Sequence, residues 1–252
     1  RSVVHMLDYV SVDYPAFVKD GAVLDTSEYA EQKEFAQQVL ELLGSLPQAQ
    51  GGPDLVAGAR NLQQHIADKA DGADVAALAK ALRGEVIAIY GVTVAPKELP
   101  DLAAGNALYI AHCAACHGPA GAGDGPQAKG LDPVPRNFRD ASAMDARSPF
   151  GLYNTISLGV EGTSMMAYGA LAEAERWDLA FHVAGVRARP DQVARGEELW
   201  KQGVGTDEFT GLRALVTSTS NEVRQQYDQD RVAVLAYLIA HPEALHKAAS
   251  SP

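Results

Sequence analysis

This sequence predicts an all-α protein: a helical bundle at the N-terminus, a second helical domain around a short cysteine motif, and a short C-terminal helical extension. Three observations carry that expectation. Apolar residues return at helical spacing, as at Tyr29, Phe35, Val39, Leu42, Leu43 and Leu46. Asp, Ser or Thr precede such runs, and Gly or Pro follow them, which is the punctuation of helix ends. A strand signal is missing throughout, because no stretch alternates apolar and polar residues for long enough.

Four helices are expected in residues 1–95. The first runs from about Ser2 to Val12 and is broken by Pro15, with a turn at Lys19-Asp20-Gly21-Ala22. Asp25, Thr26 and Ser27 offer N-caps for a second helix over Glu28–Leu46, whose first turn carries Glu28 and Glu31. A linker at Gln48–Pro53 leads to two more helices, about Asp54–Lys69 and Ala73–Tyr90, divided at Asp71-Gly72. Short connections make an antiparallel bundle the economical arrangement.

Val94-Ala95-Pro96-Lys97 marks the join to a second domain, residues 96–188. It opens with a helix over Leu102–His112. The Gly- and Pro-rich run from Gly118 to Arg139 is irregular and wraps around something, and short helices near Pro149–Leu158 and Ala172–Val186 complete the domain. Residues 189–252 form the extension, with helices at about Gln192–Gln202 and Gln229–Ala240.

With 32 acidic and 21 basic side chains in 252 residues, the formal charge is −11. That argues against nucleic acid as a partner, since such proteins present a basic face. No apolar run approaches the roughly 18 residues of a membrane helix, so no membrane span is expected in this chain.

The chemistry is concentrated in Cys113-Ala114-Ala115-Cys116-His117. C-x-x-C-H is the attachment signature of a c-type haem. Cysteines three residues apart share one face of a helical turn, so both sulfurs can form thioethers along one porphyrin edge. The histidine that follows is carried under the ring as an iron ligand. A redox pair would need a strand-led context, and a structural zinc would need further ligands; these are the two cysteines of the whole chain. One covalently attached haem c is therefore expected, in a compartment outside the cytoplasm where such haems are assembled. A targeting segment is expected to have been removed from such a protein.

What fills the sixth iron position decides the chemistry. Methionine closes the centre and raises its potential, whereas an open position admits small molecules. Met6, Met144, Met165, Met166 and the histidines all remain candidates on composition alone, with paired methionines as core filler the plain alternative.

Residues 100–187 resemble a class I cytochrome c domain. Gly162-Thr163-Ser164-Met165-Met166-Ala167-Tyr168 looks like that family's G-T-x-M-x-x-F/Y ligand loop, and Glu173–Ala180 resembles its closing helix. The resemblance implies Met165 as the axial partner of His117. It also implies that Pro126 offers its carbonyl to the free ring nitrogen of His117, and that Arg136 meets a haem propionate. Ala194-Arg195-Gly196-Glu197-Glu198-Leu199-Trp200 resembles the opening helix of another cytochrome unit, but no C-x-x-C-H follows. It reads as a degenerate second module or, more simply, as part of a helical pair packed on the first unit.

At the N-terminus, Asp8-Tyr9-Val10-Ser11-Val12-Asp13-Tyr14-Pro15 leads into Glu28-Tyr29-Ala30-Glu31. Together with the haem motifs and the Leu212–Val223 stretch, this is similar to the periplasmic N-terminal part of the fused cytochrome c/iron-permease family of bacteria. The resemblance implies a periplasmic electron-transfer module tied to iron uptake and tethered to the inner membrane. Its donor would be ferrous iron or a redox partner protein, and a membrane permease domain or subunit would lie beyond residue 252. The R-E-x-x-E of the family's permease helices is not in this chain, so transport is not performed by these residues. Asp13, Glu28 and Glu31 offer hard oxygen ligands for a second iron site. An electron carrier rather than an enzyme is expected. The alternatives are an electron-accepting haem subunit of a dehydrogenase or oxidase, and a haem-based sensor, which Met165 argues against.

Overall fold

The computed structural model describes residues 1–47 and 52–245. Most of the expected linker at Gln48–Pro53 lies outside these. The chain divides into two compact units, Arg1–Thr93 and Val94–Pro252. Both are helical.

The first unit holds α1 (Ser2–Phe17), a two-residue antiparallel ladder of β1 (Val18–Lys19) and β2 (Ala22–Val23), α2 (Thr26–Ser45), α3 (Leu55–Ala67) and α4 (Gly72–Tyr90). Helix α1 packs on α2 and α4, and α3 packs on both of those, which closes a four-helix bundle. Leu7, Val10, Tyr14, Val39, Leu43, Leu62, Ile66 and Val75 are its buried centre. Capping follows the acidic residues: Asp25 accepts from the Ser27 and Glu28 amides, Asp54 from Ala57 and Asp71 from Ala73.

Two details differ from the sequence expectation. Helix α1 continues through Pro15 to Phe17. In the last turn a proline removes a single backbone bond, and the Val18 amide still closes the end on the Tyr14 carbonyl. The following turn is a hairpin, because Asp20 and Gly21 both take positive φ (51° and 75°) and so match the twist of a paired ladder.

The Asp8–Pro15 stretch is spent on packing. Asp8 pairs with Arg83 inside the bundle, the buried Tyr14 hydroxyl donates to the Ala70 carbonyl, and the Tyr9 ring meets Phe35 edge-on. Gly72 lies so close to Pro15 that a Cβ there would sit 2.7 Å from the proline Cα.

The second unit contains α5 (Leu102–His112), α6 (Ala114–His117), α7 (Ala141–Met144), α8 (Pro149–Leu158), α9 (Glu173–Gly185), α10 (Pro190–Lys201), α11 (Leu212–Thr217), α12 (Ser220–Gln226) and α13 (Gln229–Ala240). Helices α7, α11 and α12 were not expected from sequence; each is too short for a periodic pattern. Two helix crossings organise the unit. Helix α5 crosses α9 at Gly105, where a Cβ would overlap the Asp178 carbonyl and crowd His182. Helix α10 crosses α13 at Gly196, where a Cβ would overlap the Ala233 carbonyl and crowd Tyr237. In both, the close carbonyl and the crowding side chain are four residues apart, and a buried aromatic follows the glycine by four (Tyr109, Trp200). Helices α11 and α13 pack against α8 and α9. At that junction Asp145 accepts from both Arg187 and Arg224, and Arg187 also donates to Ser220.

Candidate haem site

Helix α5 is fixed at its start by Asp101. Its carboxylate accepts from the Ala103 and Ala104 amides, while its own amide donates to Asp178 on α9 at 2.8 Å. One turn beyond the Gly105 crossing, the buried Tyr109 hydroxyl donates to the Gly118 carbonyl at 2.7 Å, and its ring lies 4.8 Å from that of His182. Burial pushes the Tyr109 hydroxyl up to about 12, so it remains a donor. These contacts place the C-terminus of α5, and with it the single turn of α6 that carries Cys113, Cys116 and His117.

Cys113 caps that turn and Cys116 lies on it, both half-buried. Burial, with a smaller contribution from Cys116, raises the Cys113 thiol to about 11. The amides of the glycine-rich loop return onto α6: Gly123 donates to the His117 carbonyl, Gly125 to Cys116 and Gln127 to Ala115. Gly125 must be glycine here, since a Cβ would come within 2.6 Å of the Ala114 carbonyl.

The His117 ring stacks on Phe138, with centroids 4.4 Å apart and planes 19° from parallel. Its Nδ1 lies 3.1 Å from the Arg136 carbonyl. A carbonyl can only accept, so Nδ1 carries the hydrogen and Nε2 keeps its lone pair for a metal. Burial holds the imidazole below its ordinary pKa, while the Arg136 bond pulls the other way. The ring is a neutral ligand presented in one tautomer.

The carbonyl that orients His117 therefore belongs to Arg136 and not to Pro126. Loop residues 123–127 are engaged in capping α6, which leaves Pro126 exposed, and the next segment brings its backbone under the imidazole. The Phe138 amide anchors that segment on the Gly121 carbonyl at 2.7 Å. The Arg136 side chain is exposed.

Met165 sits in the loop after α8. Its carbonyl accepts from Val160 at 2.9 Å and its amide donates to Thr163 Oγ1 at 3.0 Å. Gly159 (φ 73°) makes the tight turn possible, since a Cβ there would lie 2.6 Å from the Met165 carbonyl oxygen. Met165 is half-exposed and Met166 is 67% exposed, so this pair is not core filler. Met6 and Met144 are buried.

The donor set fits a c-type haem: two thiols on one turn, a neutral imidazole with a free Nε2, and a thioether on a shaped loop. The unit also holds buried donors without a partner. Asn154 Nδ2, Arg176 Nε and Trp177 Nε1, all on α8 and α9, have no acceptor among the described residues. A propionate is the kind of acceptor such groups require. Among the described residues, no group of three or more His, Cys, Asp or Glu side chains is gathered as a metal ion needs. Asp13, Glu28 and Glu31 are accordingly not part of such a group.

Sequence reading missed Tyr109, Phe138 and the buried donors on α8 and α9. Tyr168 stood in the M-x-x-Y pattern without a role of its own.

The cytochrome c family model matches residues 102–187, which covers α5 to α9 and every haem-site residue described above. The match supports a class I cytochrome c-like segment here, and that family implies a covalently bound c-type haem and a role in electron transfer. No curated protein matches the chain. Among solved structures, a chain of the reducing HAO-like protein complex of Kuenenia stuttgartiensis is similar at 18% identity, over 58% of this chain and 98% of that one. The TM-score is 0.30, a likeness too slight to bear on this chain's chemistry.

Proposed function

We propose that this chain is a periplasmic electron carrier with one His117/Met165-ligated haem c, linked to iron uptake as the soluble part of a cytochrome c/iron permease. The observation that carries the electron-transfer reading is the neutral His117 imidazole, held through Nδ1 so that Nε2 is free, in a unit that also carries half-exposed Met165 on a shaped loop. The bound haem supplies one-electron redox chemistry. His117 and Met165 would hold the iron, and a methionine in the sixth position would close the centre to small molecules, which suits a carrier and not a sensor. Arg136 and the unpaired donors of α8 and α9 offer positive charge and hydrogen bonds to the propionates. The iron link is supported by the resemblance of residues 8–31 to the permease fusions. Among the described residues no helix is long and apolar enough to cross a membrane, so a permease would be a separate segment or subunit.

Anaerobic mixing of the oxidised holoprotein with stoichiometric ferrous iron tests this, with the haem absorption as the readout. Fast reduction is expected. Glu28→Gln/Glu31→Gln is expected to be reduced at the wild-type rate, because these carboxylates are not gathered into a metal site. Slow reduction by ferrous iron, with fast reduction by a small redox protein, would remove the iron link and leave a carrier for a protein donor.

A further inference from the structure

The geometry points to Tyr168 as the positioning residue for the Met165 thioether: its hydroxyl ties the ligand loop to the attachment helix and limits how readily Met165 leaves the iron. The inference rests on the reading of Met165 as the axial ligand.

The loop from Gly159 to Tyr168 is held on two sides. Towards α8 the ties are backbone or local: Val160 N to Met165 O, Thr163 Oγ1 to Val160 O at 2.8 Å, and Tyr168 N to Ile156 O at 2.9 Å. Towards α5 the tie is the Tyr168 hydroxyl, which donates to the His112 carbonyl at 2.9 Å. His112 directly precedes Cys113, so this bond joins the segment that carries the sulfur ligand to the one that carries both thioethers. The His112 ring adds an edge-on contact with the Tyr168 ring, centroids 6.0 Å apart. Burial raises the Tyr168 hydroxyl above its ordinary pKa, so it stays a donor through the physiological range. Any release of the thioether that carries the loop away from α5 would break the Tyr168 bond, which therefore resists it. A loosened loop shifts the centre toward states without sulfur ligation, and the raised potential that methionine confers falls with it.

Tyr168→Phe keeps the ring and removes the bond. Oxidised wild-type and variant holoproteins are titrated with imidazole, which competes with methionine for the sixth position. Loss of the near-infrared sulfur-to-iron charge-transfer band is followed, and midpoint potentials are measured in parallel. The variant is expected to attach haem normally and to keep the band without imidazole. It should bind imidazole about fivefold more tightly, the equivalent of one net hydrogen bond, at a lower potential. Tyr168→Leu, which also removes the ring, should move both readings further. Imidazole affinity and potential equal to wild type in Tyr168→Phe would overturn the proposal, even with lowered overall stability, because Tyr168 would then be a structural tie alone. A wild-type protein without the charge-transfer band, binding imidazole as an open site does, would instead sink the Met165 assignment and this proposal with it.

Discussion

His117 and His182 show how the same side chain takes different work from its surroundings. His117 is held by a stacked ring and a backbone carbonyl, both aimed at leaving Nε2 basic and uncharged. His182 is half-buried on α9 against Tyr109, and burial depresses its pKa below 6.5. A depressed folded-state pKa means that the unfolded chain binds the extra proton first. The stability tied to neutral His182 is fully present above 6.5 and is lost as pH falls from there through the folded-state value. Urea unfolding of the holoprotein across pH 7.5 to 5 should show falling stability, and His182→Gln should flatten the part that this residue contributes. The same scale separates what the sequence can tell from what it cannot. Cys113, Cys116 and His117 are legible because attachment chemistry dictates residue type and spacing together. The carbonyl behind His117 is not, because every residue carries one; only the folded path decides that it is Arg136 and not Pro126.

At the level of elements, two glycine-centred crossings hold the second unit, and they make a paired prediction. Alanine at Gly105 or at Gly196 would drive a methyl into a carbonyl of the facing helix. Each substitution should cost about 1–3 kcal/mol of stability, since the helices must part to admit it. The consequences for haem diverge. Gly105→Ala moves α5, which ends at Cys113, and should lower the yield of attached haem and weaken the charge-transfer band. Gly196→Ala lies in the crossing that lacks attachment residues and should leave the haem spectrum unchanged at similar loss of stability. Haem content per polypeptide and denaturant midpoints measure both. Helix positions were readable here because apolar spacing and capping residues agree, as at Asp25, whose carboxylate accepts from the Ser27 and Glu28 amides. The departures have local causes. Pro15 falls in a final turn, where it removes little, and Asp20-Gly21 is a two-residue turn between ladders too short to alternate.

On the scale of the whole molecule, each unit buries its own core, and the haem ligands belong to the second. The first unit depends on a partly buried ion pair whose side chains are 10% exposed at Asp8 and 19% at Arg83. Arg83→Met strands the carboxylate among α1 and α4, which should cost about 3 kcal/mol, because an unpaired charge at that depth has neither water nor a counter-ion. The substitution separates the units by observable. Haem absorption reports the second unit, whereas far-ultraviolet circular dichroism reports helices of both. In the variant an early dichroism transition should split from the main one at lower denaturant, while the haem transition keeps its wild-type midpoint. Asp8→Asn/Arg83→Met, which removes the stranded charge as well, should recover part of the loss. A haem transition that moves together with the dichroism would mean that the bundle supports the cytochrome unit energetically, and the two units would then unfold as one cooperative body.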